Sequence, residues 1–182
     1  MKTEYRLAQA LKELMSEQPL DTISVTVLAK KAHIRRQTFY YHFHDIFDLL
    51  TLVFLDEKIP NVTEAKNYKG LLTIVYKYYE KNDKFIDATL SSAGKELFIE
   101  FIYNVFYTST LRFSLNYEIE KRVSSNDMKN IARFYASAFS QSVAYYLLTR
   151  RSKSLEGLLA SFSFIDDDSL QKSMQNAAKA RK

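Results

Sequence analysis

Cysteine is absent from the 182 residues, which removes disulfide frameworks, thiolate zinc sites and cysteine nucleophiles together and fits a reducing compartment. Glycine and proline are scarce, with 3 and 2 residues against average usage of roughly 7% and 5%. That scarcity speaks against a collagen-like chain, a turn-rich β-sandwich and a glycine-cradled nucleotide fold, and it favours helices. Histidine is limited to His33, His42 and His44, all in one short stretch. The remainder has neither histidine nor cysteine for nucleophilic chemistry, so an enzyme is not expected. His42 and His44 lie about 200° apart around a helix and converge on one ion only if the helix ends between them; surface histidines near phosphates are the plainer reading, so no metal site and no cofactor are expected. No run of about 18 apolar residues occurs, and Met1–Gln18 is charged throughout. Neither a membrane span nor a signal sequence is expected, and the chain reads as cytoplasmic with no membrane partner.

What is present is 47% apolar and 14% aromatic residues, ample core for one or two small domains. Lysine and arginine number 26 against 21 acids, a net charge of +5, a mild excess that suits an anionic partner without requiring one. Leu7, Leu11 and Leu14 recur at steps of four and three and mark an amphipathic helix that stops near Gln18-Pro19. Ser24 is placed to cap a second helix, with Ile23 and Leu28 as a hydrophobic staple. A third helix follows at about Arg36–Phe43, and Asp45 caps a fourth that runs to the Ile59-Pro60 break. Past Pro60 the helices lengthen: about Tyr68–Lys81, Lys84–Ser92, Lys95–Tyr117, Asn126–Arg151 and Leu155–Phe164. A last short helix opens at Asp166-Asp167-Asp168, in a tail that carries Lys172, Lys179, Arg181 and Lys182. The predicted fold is all-α.

The chemistry concentrates in Ser24–Leu50, SVTVLAKKAHIRRQTFYYHFHDIFDLL. Two short helices with a tight link, the second rich in Arg, Gln, Thr and Tyr, read as a helix-turn-helix that presents donors and acceptors to base edges and phosphates. At about 100° per residue, Phe39 and Phe43 share one side of the third helix, and Gln37, Thr38, Tyr41 and His42 take the opposite side. Tyr40 leans toward the core side, either as a packed aromatic or with its hydroxyl on a phosphate. Lys30, Lys31, Arg35 and Arg36 fall within seven positions with no acid among them, which favours phosphate or guanine contact over plain solvation. Gln37 can pair with adenine, and Thr38 can meet a thymine methyl or a phosphate. Thr26, in the first turn of the second helix, can bond a phosphate. Arg35 occupies an N-cap position where Ser, Thr, Asp or Asn would be worth about 1 kcal/mol, a broken local rule that hints at function.

At Ala32-His33-Ile34-Arg35-Arg36-Gln37-Thr38-Phe39-Tyr40-Tyr41-His42-Phe43 the chain resembles the TetR/AcrR family of transcriptional regulators, whose pattern is an alanine, a turn and a Thr-x-Tyr-x-x-Phe recognition helix. The run Ile34–Tyr40 is similar to the subgroup containing regulators of dihydroxyacetone kinase operons. The resemblance implies that Gln37, Thr38 and Tyr41 read bases or backbone, and that Tyr40, His42 and Thr26 clamp phosphates. It also implies a helix-turn-helix DNA-binding domain over residues 1–50 and a helical regulatory and dimerisation domain over 51–182. Three positions depart from the pattern. The turn glycine is His33, so a left-handed backbone there carries a cost or the turn is shaped differently. The frequent serine is Arg35, and the lysine that opens the fourth helix is Ile46.

In Asn126–Arg151 the residues Ile131, Phe134, Tyr135, Ala138, Phe139, Ser142, Tyr145 and Tyr146 follow three- and four-residue steps, with small Ala136, Ser137, Ser140 and Ala144 between them. Small residues let helices approach closely, and with Leu155–Phe164 this helix is expected to form a four-helix interface with its copy. Tyr76, Tyr79, Tyr103 and Tyr107 are candidate walls of an effector pocket, with edge-of-core tyrosines as the plainer alternative. The expectation is a homodimeric, sequence-specific regulator that binds a near-palindromic site on double-stranded DNA and answers to a small-molecule effector. The alternative is a DNA-binding regulator or co-activator controlled by a protein partner, with no small-molecule pocket.

Overall fold

In a computed structural model, residues 2–150, 152–166 and 168–180 are described. Arg151, Asp167, Arg181 and Lys182, used in the sequence reading of helix ends and tail, lie outside them. The described residues form ten α-helices and three short 3-10 turns, with no strand among them. They group into two compact units, one of Met1–Lys58 with Lys81–Phe101, the other of Ile59–Glu80 with Ile102–Lys182.

The first unit opens with α1 (Lys2–Met15), whose stripe of Leu7, Ala10, Leu11, Leu14 and Met15 is buried, the helical spacing that the leucines announce. Helix α2 (Val25–Lys31) is capped by Ser24, whose hydroxyl accepts from the Val27 N–H at 3.3 Å. Helix α3 (Arg36–His42) follows after a short turn and buries Phe39. Asp45 caps α4 (Ile46–Asp56) by accepting from the Asp48 N–H at 2.9 Å. Helix α6 (Asp83–Leu90) belongs to this unit because its Phe85 stacks on Phe54 at 5.6 Å and lies under the Lys12 ammonium at 5.3 Å. Gly94 permits a close approach, since a Cβ there would stand 2.7 Å from Leu50 Cδ2. It immediately precedes α7 (Lys95–Ser114), which starts in the first unit and ends in the second.

In the second unit α5 (Tyr68–Lys81), the later part of α7 and α8 (Ser125–Thr149) enclose an aromatic core. Phe106 lies flat on Phe139 at 4.8 Å, and Tyr68 packs on Phe139 at 4.6 Å. Arg112 donates to the carbonyls of Val62, Thr63 and Ala65 and so ties the segment before α5 to the last turn of α7. Helix α9 (Leu155–Ala160) is shorter than the periodicity suggested, because the chain turns at 161–164. Helix α10 (Ser169–Lys179) buries Leu170 and Met174. Its start is held by Asp166, whose carboxylate takes the Ser169 hydroxyl at 2.6 Å and the Lys172 ammonium at 2.7 Å.

Three of the four small residues of α8 do something other than expected, while Ser137 is exposed. Ala136, Ser140 and Ala144 are buried inside the same subunit, where a four-residue step of small side chains lets a neighbouring helix approach. The exposed face carries Phe134, Ala138, Gln141, Tyr145 and Leu148 instead.

Candidate nucleic-acid interface

Helix α3 has two sides. Phe39 and Phe43 face the core, with Phe39 fully buried. Arg36, Gln37 and Tyr41 are exposed, Tyr41 to 85%, and Thr38 is half-buried beside them. Tyr40 is 50% exposed rather than packed away, with its ring edge on Phe39 at 5.4 Å. The Arg36 guanidinium stands over the Tyr40 ring at 5.6 Å, its Nη2 a long 3.4 Å from the hydroxyl. This cation–π contact narrows the rotamers open to Arg36 and aims a cation outward. Thr26 and Arg35 are exposed, and the Arg35 side chain makes no cap bond to α3.

Two of the expected contacts are partnered within the protein. Lys31 pairs with Glu13 at 3.0 Å and Glu17 at 3.8 Å, and the Glu13 carboxylate raises its pKa. The sequence shows no acid near Lys31; the fold brings two from the first helix and the turn after it. His42 places Nδ1 3.4 Å from a Glu4 carboxylate oxygen and is half-buried. Exposed ion pairs contribute little in water, so a phosphate can compete with the carboxylates for Lys31, and the Glu4 contact leaves His42 within reach of one.

The turn between α2 and α3 keeps the left-handed geometry although glycine is missing. His33 has φ 53°, in a region where histidine is tolerated better than most residues. The His33 N–H donates to the Lys30 carbonyl at 3.1 Å and the Ile34 N–H to the Ala29 carbonyl at 2.9 Å, the paired bonds of a Schellman ending. Arg6 of α1 completes it by donating to the Ala32 carbonyl and, at 2.9 Å, to the His33 carbonyl. A cation at a helix C-terminus also meets the negative end of the dipole. Sequence inspection missed Arg6. Nothing in an arginine 26 positions upstream of Ala32 signals its partner.

A family model described as a transcriptional-regulator C-terminal region, of the TetR type, matches residues 66–165, more than half of the chain. The chain belongs to the TetR family of transcriptional regulators. Family membership makes it a regulator rather than an enzyme. It is 31% identical over 86 residues to the HTH-type dhaKLM operon transcriptional activator DhaS of Lactococcus lactis subsp. lactis (strain IL1403). That match spans 46% of this chain and 46% of the relative, so under half of the curated protein's length is matched. A solved structure, the dihydroxyacetone kinase operon activator DhaS, superposes with a TM-score of 0.63 at 22% identity and covers 96% of this chain and 97% of the other. That likeness shows the fold.

The four tyrosines expected at an effector pocket meet one another in pairs. Tyr76 and Tyr79 are buried with ring centroids 5.7 Å apart, and Tyr103 and Tyr107 stack at 6.0 Å. None of them lines the cavity of about 320 Å³ in the second unit, which is walled by Tyr68, Leu72, Phe139, Leu159 and Phe162. Among the described residues no group of His, Asp and Glu could hold a metal ion, and no helix is long and apolar enough to cross a membrane.

Proposed function

We propose that two copies of this chain bind a near-palindromic operator in the compartment that holds the chromosome, each laying α3 in the major groove. The division of labour follows residues 1–50 for DNA and 51–182 for regulation and dimerisation. The observation that carries the reading is the two-sidedness of α3, with Phe39 buried and Arg36, Gln37 and Tyr41 exposed together. Gln37 reads adenine, Arg36 takes guanine or phosphate, and Thr38 and Tyr41 complete the base-facing set. Thr26, Arg35 and Tyr40 hold phosphates; Lys31 and His42 join them by giving up their carboxylate partners. The exposed stripe on α8 supplies the seam between copies, which sets the recognition helices about 34 Å apart. A small molecule in the second unit shifts the dimer between two states and acts only as far as it prefers one of them. The names of the two DhaS relatives support activation, and genes for dihydroxyacetone phosphorylation as the target.

Selection of genomic DNA fragments by the purified protein tests this reading. Recovered fragments should share an inverted repeat with half-site centres about one helical turn apart. The Gln37→Ala variant should bind the same site about 1–3 kcal/mol more weakly and tolerate more bases at one position per half-site. Failure to enrich any sequence, even at low salt, would overturn it.

A further inference from the structure

We propose that the cavity enclosed by α5, α8 and the segment from α9 to Ile165 binds a compact monocarboxylate, with its aromatic or aliphatic body between the rings and its carboxylate on Lys69. The inference rests on the second unit being the regulatory one. At about 320 Å³ the cavity lies at the small end of ligand sites, which run from about 300 to 1,000 Å³. Its walls are rings fixed by one another: Tyr68 on Phe139 at 4.6 Å and Phe139 on Phe162 at 4.9 Å. Leu72, Leu159 and Ile165 fill in between.

The polar groups decide the ligand's charge. The Tyr68 hydroxyl is hydrogen-bonded to Thr110 at 2.9 Å, and burial pushes its pKa up so that it stays neutral. That leaves Lys69 and the Ser163 hydroxyl as the polar side chains on the lining, and no carboxylate among the residues described there. Asp166, three residues beyond Ser163, is occupied by Lys172 and Ser169. A cation entering would meet Lys69 with no carboxylate among the described lining residues, a neutral apolar molecule would gain only the walls, and an anion gains the walls and a charge-assisted hydrogen bond.

Calorimetric titration with 2-naphthoate, and with its uncharged counterpart 2-naphthalenemethanol, tests the assignment on the full-length protein without DNA. The proposal expects saturable binding of naphthoate, about tenfold tighter than the alcohol. Lys69→Gln should erase that difference and Lys69→Arg should keep it; Lys69 is exposed, so neither change threatens folding. Leu159→Trp should block both compounds by filling the space. No saturable naphthoate binding, or binding indifferent to Lys69→Gln, overturns the assignment. Retention of genomic DNA, measured separately, reports on the regulator reading: a protein that retains its operator yet ignores naphthoate keeps that reading and loses this one. Naphthoate that binds through Lys69 and alters operator retention supports both.

Discussion

At the scale of single residues, the turn of the helix-turn-helix sets a left-handed histidine against an arginine from another helix. A side chain with a Cβ at positive φ costs roughly 1–2 kcal/mol, and His33 sits at 53°. Arg6 offsets that cost with two charge-assisted bonds to the carbonyls that end α2. His33→Gly should therefore raise unfolding stability by about 0.5–1 kcal/mol, once glycine's greater freedom in the unfolded chain is subtracted. Arg6→Ala should lower it by about 1 kcal/mol, since it leaves the part-buried Ala32 carbonyl short of a donor while water replaces the bond to the exposed His33 carbonyl. Urea titrations of the two single variants and the double variant check both signs. A glycine substitution that destabilises would mean that the histidine side chain does more in the turn than its backbone strain reveals.

At the scale of elements, helix starts were the most legible features of the sequence. Ser24 and Asp45 cap α2 and α4 because each is a short polar side chain before an apolar run. The start and end of α5 were readable because polar residues bracket a strong apolar stripe. Helix ends set by tertiary packing were less readable, as at α9, where the chain turns after Ala160 and the periodicity runs on to Phe164. The Lys31 ion pairs and the Arg6 hydrogen bonds were invisible for the same reason: each joins residues far apart in the sequence. Arg35 was readable as an exception, and the exception persists, for α3 starts without a side-chain cap. Arg35→Ser should stabilise the fold by about 1 kcal/mol by supplying that cap. It should also weaken DNA binding across all sequences and reduce the salt slope by about 1 for each phosphate that the arginine had neutralised. Melting curves and anisotropy titrations across a salt series read the two effects independently. A stability gain with unchanged DNA affinity would leave Arg35 with no role at the duplex.

At the scale of the whole molecule, the seam proposed on α8 is what brings two recognition helices to one site. Phe134 and Tyr145 are exposed, at 69% and 70%, and Ala138, Gln141 and Leu148 continue the line at three- and four-residue steps. That spacing suits a seam between two helices, and Ala136, Ser140 and Ala144, on the other side of α8, are already buried. Two charges placed on the seam would face their own copies across a two-fold axis, where like charges repel and lose hydration together. The double variant Phe134→Lys, Tyr145→Lys should sediment as a monomer with an unchanged helical circular dichroism spectrum, because neither side chain is part of the subunit's own core. Its affinity for a full operator should fall about 10²–10⁴-fold, the advantage that linking two half-site modules confers. Its affinity for an isolated half-site should match that of the parent. Dimers that survive both lysines would move the seam off this face, and an operator affinity untouched by dissociation would mean that one α3 suffices.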